Sequence, residues 1–152
     1  MNHQRLLERF LQYVQIDSTA VEESGNYPSS PGQIEIGKLL VEQMKTMGIA
    51  DAVQDPWGIV YGTVKGNLTD APVVAFNSHL DTSPETSGKG VKPNVIENFD
   101  GRDVRLTGDP AKTISAISCP ELSAAKGKTI ITTDGTTLLG GDDKAGVAII
   151  ME

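Results

Sequence analysis

The chain has a single cysteine, Cys119, among its 152 residues. No disulfide can form within it, and such usage is expected of a reducing compartment. An uninterrupted apolar run is missing as well. The opening MNHQRLLERFLQYVQI breaks its hydrophobic residues with Arg5, Glu8 and Arg9, unlike the continuous apolar core of a signal peptide, and nothing later approaches the ~20 apolar residues of a membrane span. A cytoplasmic protein without a membrane partner is the expectation. Basic residues are scarce: 13 Lys and Arg against 20 Asp and Glu leave a formal charge of −7. That balance repels phosphate backbones and no local basic patch offsets it, so no nucleic-acid partner is expected. Most of the acids are read as solvated surface, and a minority as groups that could serve cations. Also absent are a dinucleotide glycine fingerprint and the G-x-S-x-G elbow of serine hydrolases. Lys126-Gly127-Lys128-Thr129 ends like a phosphate loop, but Leu122 stands where the earlier glycine is required and strand-like sequence follows instead of a helix. The sequon Asn67-Leu68-Thr69 is an accidental match in a cytoplasmic chain.

What is present reads as one α/β domain, since 38% hydrophobic residues over this length suffice for one core. Leu6, Leu7, Phe10, Leu11 and Val14 recur at helical spacing and predict an amphipathic first helix. Residues 18 to 30 are a polar loop. Ser30-Pro31-Gly32-Gln33 is a helix start, with a serine cap, proline in the first turn and glutamine placed for a capping box. Ile34, Leu39, Leu40 and Met44 continue that helix, and Gly48 stops it after Met47. The runs GIVYGTV (58 to 64) and PVVAFNS (72 to 78) predict strands. Residues 83 to 127 are irregular, with short strands expected near Val95 and Val104. Asp134-Gly135, between β-branched runs, predicts a hairpin. From Lys144 the composition is helical again and still running at Ile149, Ile150 and Met151, so the chain is expected to be cut rather than finished.

The run FNSHLDTSP holds His79, one of only two histidines; the other, His3, lies at the start. If the strand reaches this far, His79 and Asp81 share a face and Ser78 points away, which argues against a Ser-His-Asp triad. A carboxylate beside an imidazole suits a metal ligand, because it accepts a hydrogen bond from one ring N–H, fixes the tautomer and leaves the other nitrogen to coordinate. A structural histidine paired with an acid is the alternative on this motif alone. Later, Gly140-Gly141-Asp142-Asp143 delivers two adjacent acids between a strand and a helix. Burying both is costly without a cation; capping of the last helix by Asp142 or Asp143, or a place in a solvated loop, are the alternatives.

NSHLDTSPETSGKGVKPNVIENFDG and TIITTDGTTLLGGDDKAG, together with LLERFLQYVQIDS and PSSPGQ, closely resemble the tripeptide aminopeptidases of the dinuclear zinc exopeptidase family. The likeness runs over essentially the whole chain. It implies an α/β catalytic domain with helices flanking a central mixed sheet, and two zinc ions at strand ends. On that likeness His79 would bind one zinc, Asp142 would bridge both, and Asp81 would be the catalytic residue that holds the imidazole. Asp143 has no assigned role, though the family often places a cis peptide between the two acids. The implied reaction is hydrolysis of the bond after the first residue of a tripeptide by metal-activated water, with a glutamate as general base. A Glu-Glu pair, a further Asp, a distant His and a dimerisation domain complete such enzymes and are missing here. Glu152 is too close to Asp142 to replace the pair. Residues 1–152 are therefore expected to be the N-terminal part of the catalytic domain, inactive alone. Self-association or pairing with a complementing C-terminal part is the expected partnership, besides tripeptide substrate. Alternatives are a related zinc carboxypeptidase or deacylase, or a truncated module without chemistry.

Overall fold

The loop that follows the first helix is where the fold starts to build a site. In the computed structural model, which describes Met1–Glu152, helix α1 (His3–Val14) opens with Asn2 as its cap, whose side chain accepts the Arg5 amide. It buries Phe10, Tyr13 and Val14, while Leu6, Leu7 and Leu11 are half-covered. Helix α2 (Pro31–Thr46) follows, then two short antiparallel strands, β1 (Val53–Gln54) and β2 (Val60–Tyr61). Strand β3 (Pro93–Ile96) pairs with β6 (Ile130–Thr133), and β4 (Val104–Arg105) with β5 (Thr113–Ile114); all three pairs are antiparallel. A short α3 (Glu121–Ala124) lies between β5 and β6, and α4 (Gly141–Ile150) ends the chain. No helix is long and apolar enough to cross a membrane.

Two compact units result, residues 1–85 with 140–152, and residues 86–139. The first has a core of Phe10, Val14, Ile36, Leu40, Val147 and Ala148, formed where α1 packs on α4 and where α2 meets β1 and β2. The second buries Phe99, Val104 and Leu122, with Ile96, Ile114 and Ile130 packed around them.

Several elements differ from what the pattern predicts, each for a physical reason. The deepest face of α2 is Gly32, Gln33, Ile36, Gly37 and Leu40; of the expected Ile34, Leu39, Leu40 and Met44 it takes in Leu40 alone, and the other three are half-covered. Close approach of backbone selects glycine there, and hydrophobic periodicity does not register glycine. Ser30 makes no side-chain cap; Gln33 instead accepts the Ser29 amide at 3.1 Å and donates to the Ser29 hydroxyl at 3.0 Å. The run 72–78 forms no strand. A segment apolar on both faces needs neighbours on both edges and faces, and this one has none, so Val73 is 96% exposed and Phe76 77%. The sheets are accordingly separate pairs and not one central mixed sheet. The Asp134-Gly135 hairpin is likewise not made. Asp134 accepts the amide and hydroxyl of Thr136, and Thr133 donates its hydroxyl to the Thr137 carbonyl. Such local side-chain bonds compete with ladder pairing, and β6 pairs with β3 instead.

Glu152 joins the ends of the first unit. Its carboxylate accepts from Arg5 Nε at 2.7 Å and from the Asn2 amide at 2.8 Å, with Arg9 at 3.5 Å. The bond from Arg5 foremost, then that from Asn2, holds its pKa down at about 2, against the ordinary 4.5. A depressed carboxylate stabilises the fold above its unfolded pKa, and the gain is lost as pH falls through the folded value. Glu152→Gln is therefore expected to lower the urea midpoint at pH 6, and the gap from the parent to shrink between pH 4.5 and 2. A gap constant across that window contradicts the assignment.

Candidate metal centre

The loop after α1 grips the segment carrying His79. Ser18 is fully buried; its hydroxyl donates to the Leu80 carbonyl at 2.6 Å, and its own carbonyl accepts the Thr82 amide at 3.2 Å. Ala20 donates to the Thr82 carbonyl at 2.9 Å. Residues 80 and 82 are thus anchored on either side of Asp81. No strand carries His79 and Asp81, so the pleat does not bring them together. The imidazole does so itself: Nδ1 lies 3.1 Å from Asp81 Oδ1 and 3.0 Å from the Asp81 carbonyl.

On the other side, Gly140 takes a left-handed φ of 73°, and the backbone then leaves helical geometry at Asp142 (φ −88°, ψ 105°) and Asp143 (φ −119°, ψ 30°). The peptide between them is cis. The doublet is not buried as a pair, which removes the electrostatic reason for requiring a cation between its members. The two acids face different groups. Asp143 turns inward, where Oδ1 accepts the Gly146 amide at 3.1 Å and caps the helix from Lys144 onward, and Oδ2 lies 2.6 Å from the Ser78 hydroxyl. Asp142 turns outward with its side chain 95% exposed, and its Oδ1 lies 3.0 Å from His79 Nε2.

This arrangement fits two ligands of one cation. Both acceptors near Nδ1 require a proton there. Nε2 then confronts a third acceptor, so the 3.0 Å contact to Asp142 needs either a second proton or a positive ion in its place. Burial acts most strongly on His79 and lowers its pKa; the bonds to Asp142 and Asp81 together outweigh it, and the net direction is upward. A metal bound there would compete with a proton for the same ring nitrogen. Two ligand atoms on a tetrahedral zinc, each about 2.0–2.1 Å from it, lie roughly 3.3 Å apart. An imidazole and a carboxylate are both ordinary zinc donors. No cluster of three or more His, Cys, Asp or Glu side chains that could hold a metal forms, so the structure brings together two candidate donors and no complete ligand set.

Sequence reasoning passed over two residues beside the site. Ser78 was set aside as pointing away; it does avoid the imidazole, but it bonds Asp143. Lys144 is 2% exposed and donates from its Nζ to the Ile16 carbonyl at 2.6 Å, tying the start of the last helix to the loop that follows α1. Burial pushes its pKa down to about 8, against the pull of Asp17. The bond to a main-chain carbonyl leaves no trace in a single sequence.

No family model matches the chain. Individual proteins do. Peptidase T of Bacillus mycoides (strain KBAB4) and of Bacillus cereus (strain G9842) are each 50% identical over 149 residues. This chain is similar to peptidase T. A third relative of that name, from Bacillus thuringiensis subsp. konkukian (strain 97-27), is 49% identical over 149 residues. In each case the match takes in 97% of this chain and 36% of the relative. The chain thus spans about a third of the length of these peptidase T relatives, consistent with an N-terminal portion of such a protein.

Proposed function

We propose that this chain supplies two zinc ligands, His79 and Asp142, to a tripeptide aminopeptidase whose activity belongs to a longer protein of the peptidase T kind. The 3.0 Å approach of His79 Nε2 to Asp142 Oδ1 is the observation that carries this reading, and half identity to peptidase T over nearly the whole chain supports it. In that protein the chain would form part of an α/β catalytic domain with two zinc ions, and Val73, Val74 and Phe76, bare here, would be covered by further sheet.

Zinc supplies Lewis-acid polarisation of a peptide carbonyl and activation of water. The residues of this chain prepare for it. Asp81 accepts a hydrogen bond from the Nδ1–H of His79, which fixes the tautomer and leaves the Nε2 lone pair to coordinate. Asp142 offers one oxygen beside that nitrogen, and its other oxygen makes no hydrogen bond, which suits a bridging carboxylate. Asp143, spent on the helix cap and Ser78, holds the turn. No residue here is placed as general base, so residues 1–152 with added zinc are expected to bind the ion weakly and release no product from tripeptides. Turnover above the zinc-only blank contradicts that expectation.

The positive test is a chimera of this chain followed by the remainder of the B. mycoides peptidase T. Release of the N-terminal residue from tripeptides, lost when the amino group is blocked, is the expected result. Release from the C-terminus, or deacylation alone, transfers the site to the carboxypeptidase or deacylase reading.

A further inference from the structure

We propose that Ser78 is a positioning residue, whose hydroxyl clamps Asp143 and thereby aims the neighbouring Asp142 carboxylate at His79. The proposal deepens the metal-site reading above and rests on it for the purpose of the clamp, though not for its existence.

The Asp142 side chain is almost wholly exposed and bonds only His79. Apart from that bond nothing on the side chain fixes where it points, so its direction otherwise follows from the backbone at 142 and 143, where helical geometry is interrupted. Ser78 holds that backbone. Its Oγ lies 2.6 Å from Asp143 Oδ2 and 3.0 Å from the Asp143 carbonyl. One hydroxyl has one proton, and the shorter contact to a charged acceptor is the stronger claim on it. The second carboxylate oxygen is engaged by the Gly146 amide. Asp143 is therefore fixed at both ends, by Ser78 on one side and by the helix on the other. The space is full: a Cβ on Gly146 would collide with the Asp143 carboxylate.

The two segments consequently meet twice in crossed order, Ser78 with Asp143 and His79 with Asp142. A single link would leave residues 142–143 free to pivot about the imidazole. Two adjacent links remove that rotation, and they come from consecutive residues of the same segment. Ligand-supporting groups of this kind typically change metal affinity about 10–100-fold when removed.

The test uses the 152-residue chain with 15N-labelled histidine, in which only His3 and His79 report. In Ser78→Ala the metal-free ring-nitrogen signals of His79 are expected to shift, and the zinc concentration at half-saturation to rise about 10–100-fold. Ser78→Thr, which restores the hydroxyl, is expected to return both toward the parent, an outcome that loss of packing alone would not give. Asp143→Asn keeps the volume but has one terminal oxygen for two donors, so it moves the same signals if the alanine variant does not fold. Signals and half-saturation unchanged in Ser78→Ala overturn the clamp. The two readouts separate the two claims. A parent chain whose His79 ignores zinc sinks the metal reading, while the metal-free shift on losing the hydroxyl still decides the clamp.

Discussion

His79→Ala in the chimeric peptidase is expected to lower kcat/KM for tripeptides about 10³-fold or more. Losing a ligand forfeits several kcal/mol of charge stabilisation, and each ~1.4 kcal/mol is a factor of ten in rate. The geometry ranks the neighbouring substitutions beneath it. Asp142→Ala removes the oxygen 3.0 Å from the imidazole and should cost a comparable factor. Asp81→Asn leaves both ligands in place but removes the carboxylate that fixes the ring tautomer, and about 10–100-fold is expected. Because His79 and Asp142 act on one ion, the double variant should be little worse than either single one. Steady-state kinetics at saturating zinc read all four. A His79→Ala enzyme retaining more than a tenth of the parent rate contradicts the ligand assignment.

Gly32→Ala is expected to have the largest effect on stability. Gly32 sits in the first turn of α2 against backbone: a Cβ there would collide with the Asp17 carbonyl oxygen and come within 3.2 Å of Ser18 Cα. Backbone cannot rotate away as a side-chain tip can. Overpacking of this sort costs about 1–3 kcal/mol and sometimes more, which for a chain of this size lowers the melting midpoint by roughly 2–12 °C. The effect should also reach the site, because Ser18 holds Leu80 and Thr82 on either side of Asp81. Gly66→Ala is the control, since nothing lies within 4 Å of its Cβ position, and a change within about 0.5 kcal/mol is expected. Equal melting midpoints for the two variants would refute the packing account.

The residues that meet at the candidate site were more legible in the sequence than the fold around them. His79, Asp81 and Asp142 stand out because imidazole and carboxylate are few-purpose groups at a short, readable spacing. The structure brings the three together, but through side-chain bonds and the grip of Ser18, with no pleat involved. α1 and the end of α2 were legible from periodicity and from Gly48, whose φ is 90°. The glycine face of α2 was not, because close approach is written in the absence of a side chain. The strands were overread at 72–78. A β-branched run states only a preference for being paired, and the partner is not in that stretch of sequence. The cap made by Asp143 was one of the readings the acidic doublet offered; its bond with Ser78 escaped, because a clamp is a relation between distant positions and a serine taken alone has commoner uses.

A zinc titration of the 152-residue chain by calorimetry, beside His79→Ala and Asp142→Ala, bears most directly on whether these two side chains share an ion. Saturable heat in the parent that either substitution removes, with nothing more lost in the double variant, is the predicted result. Undiminished heat in either single variant would contradict it.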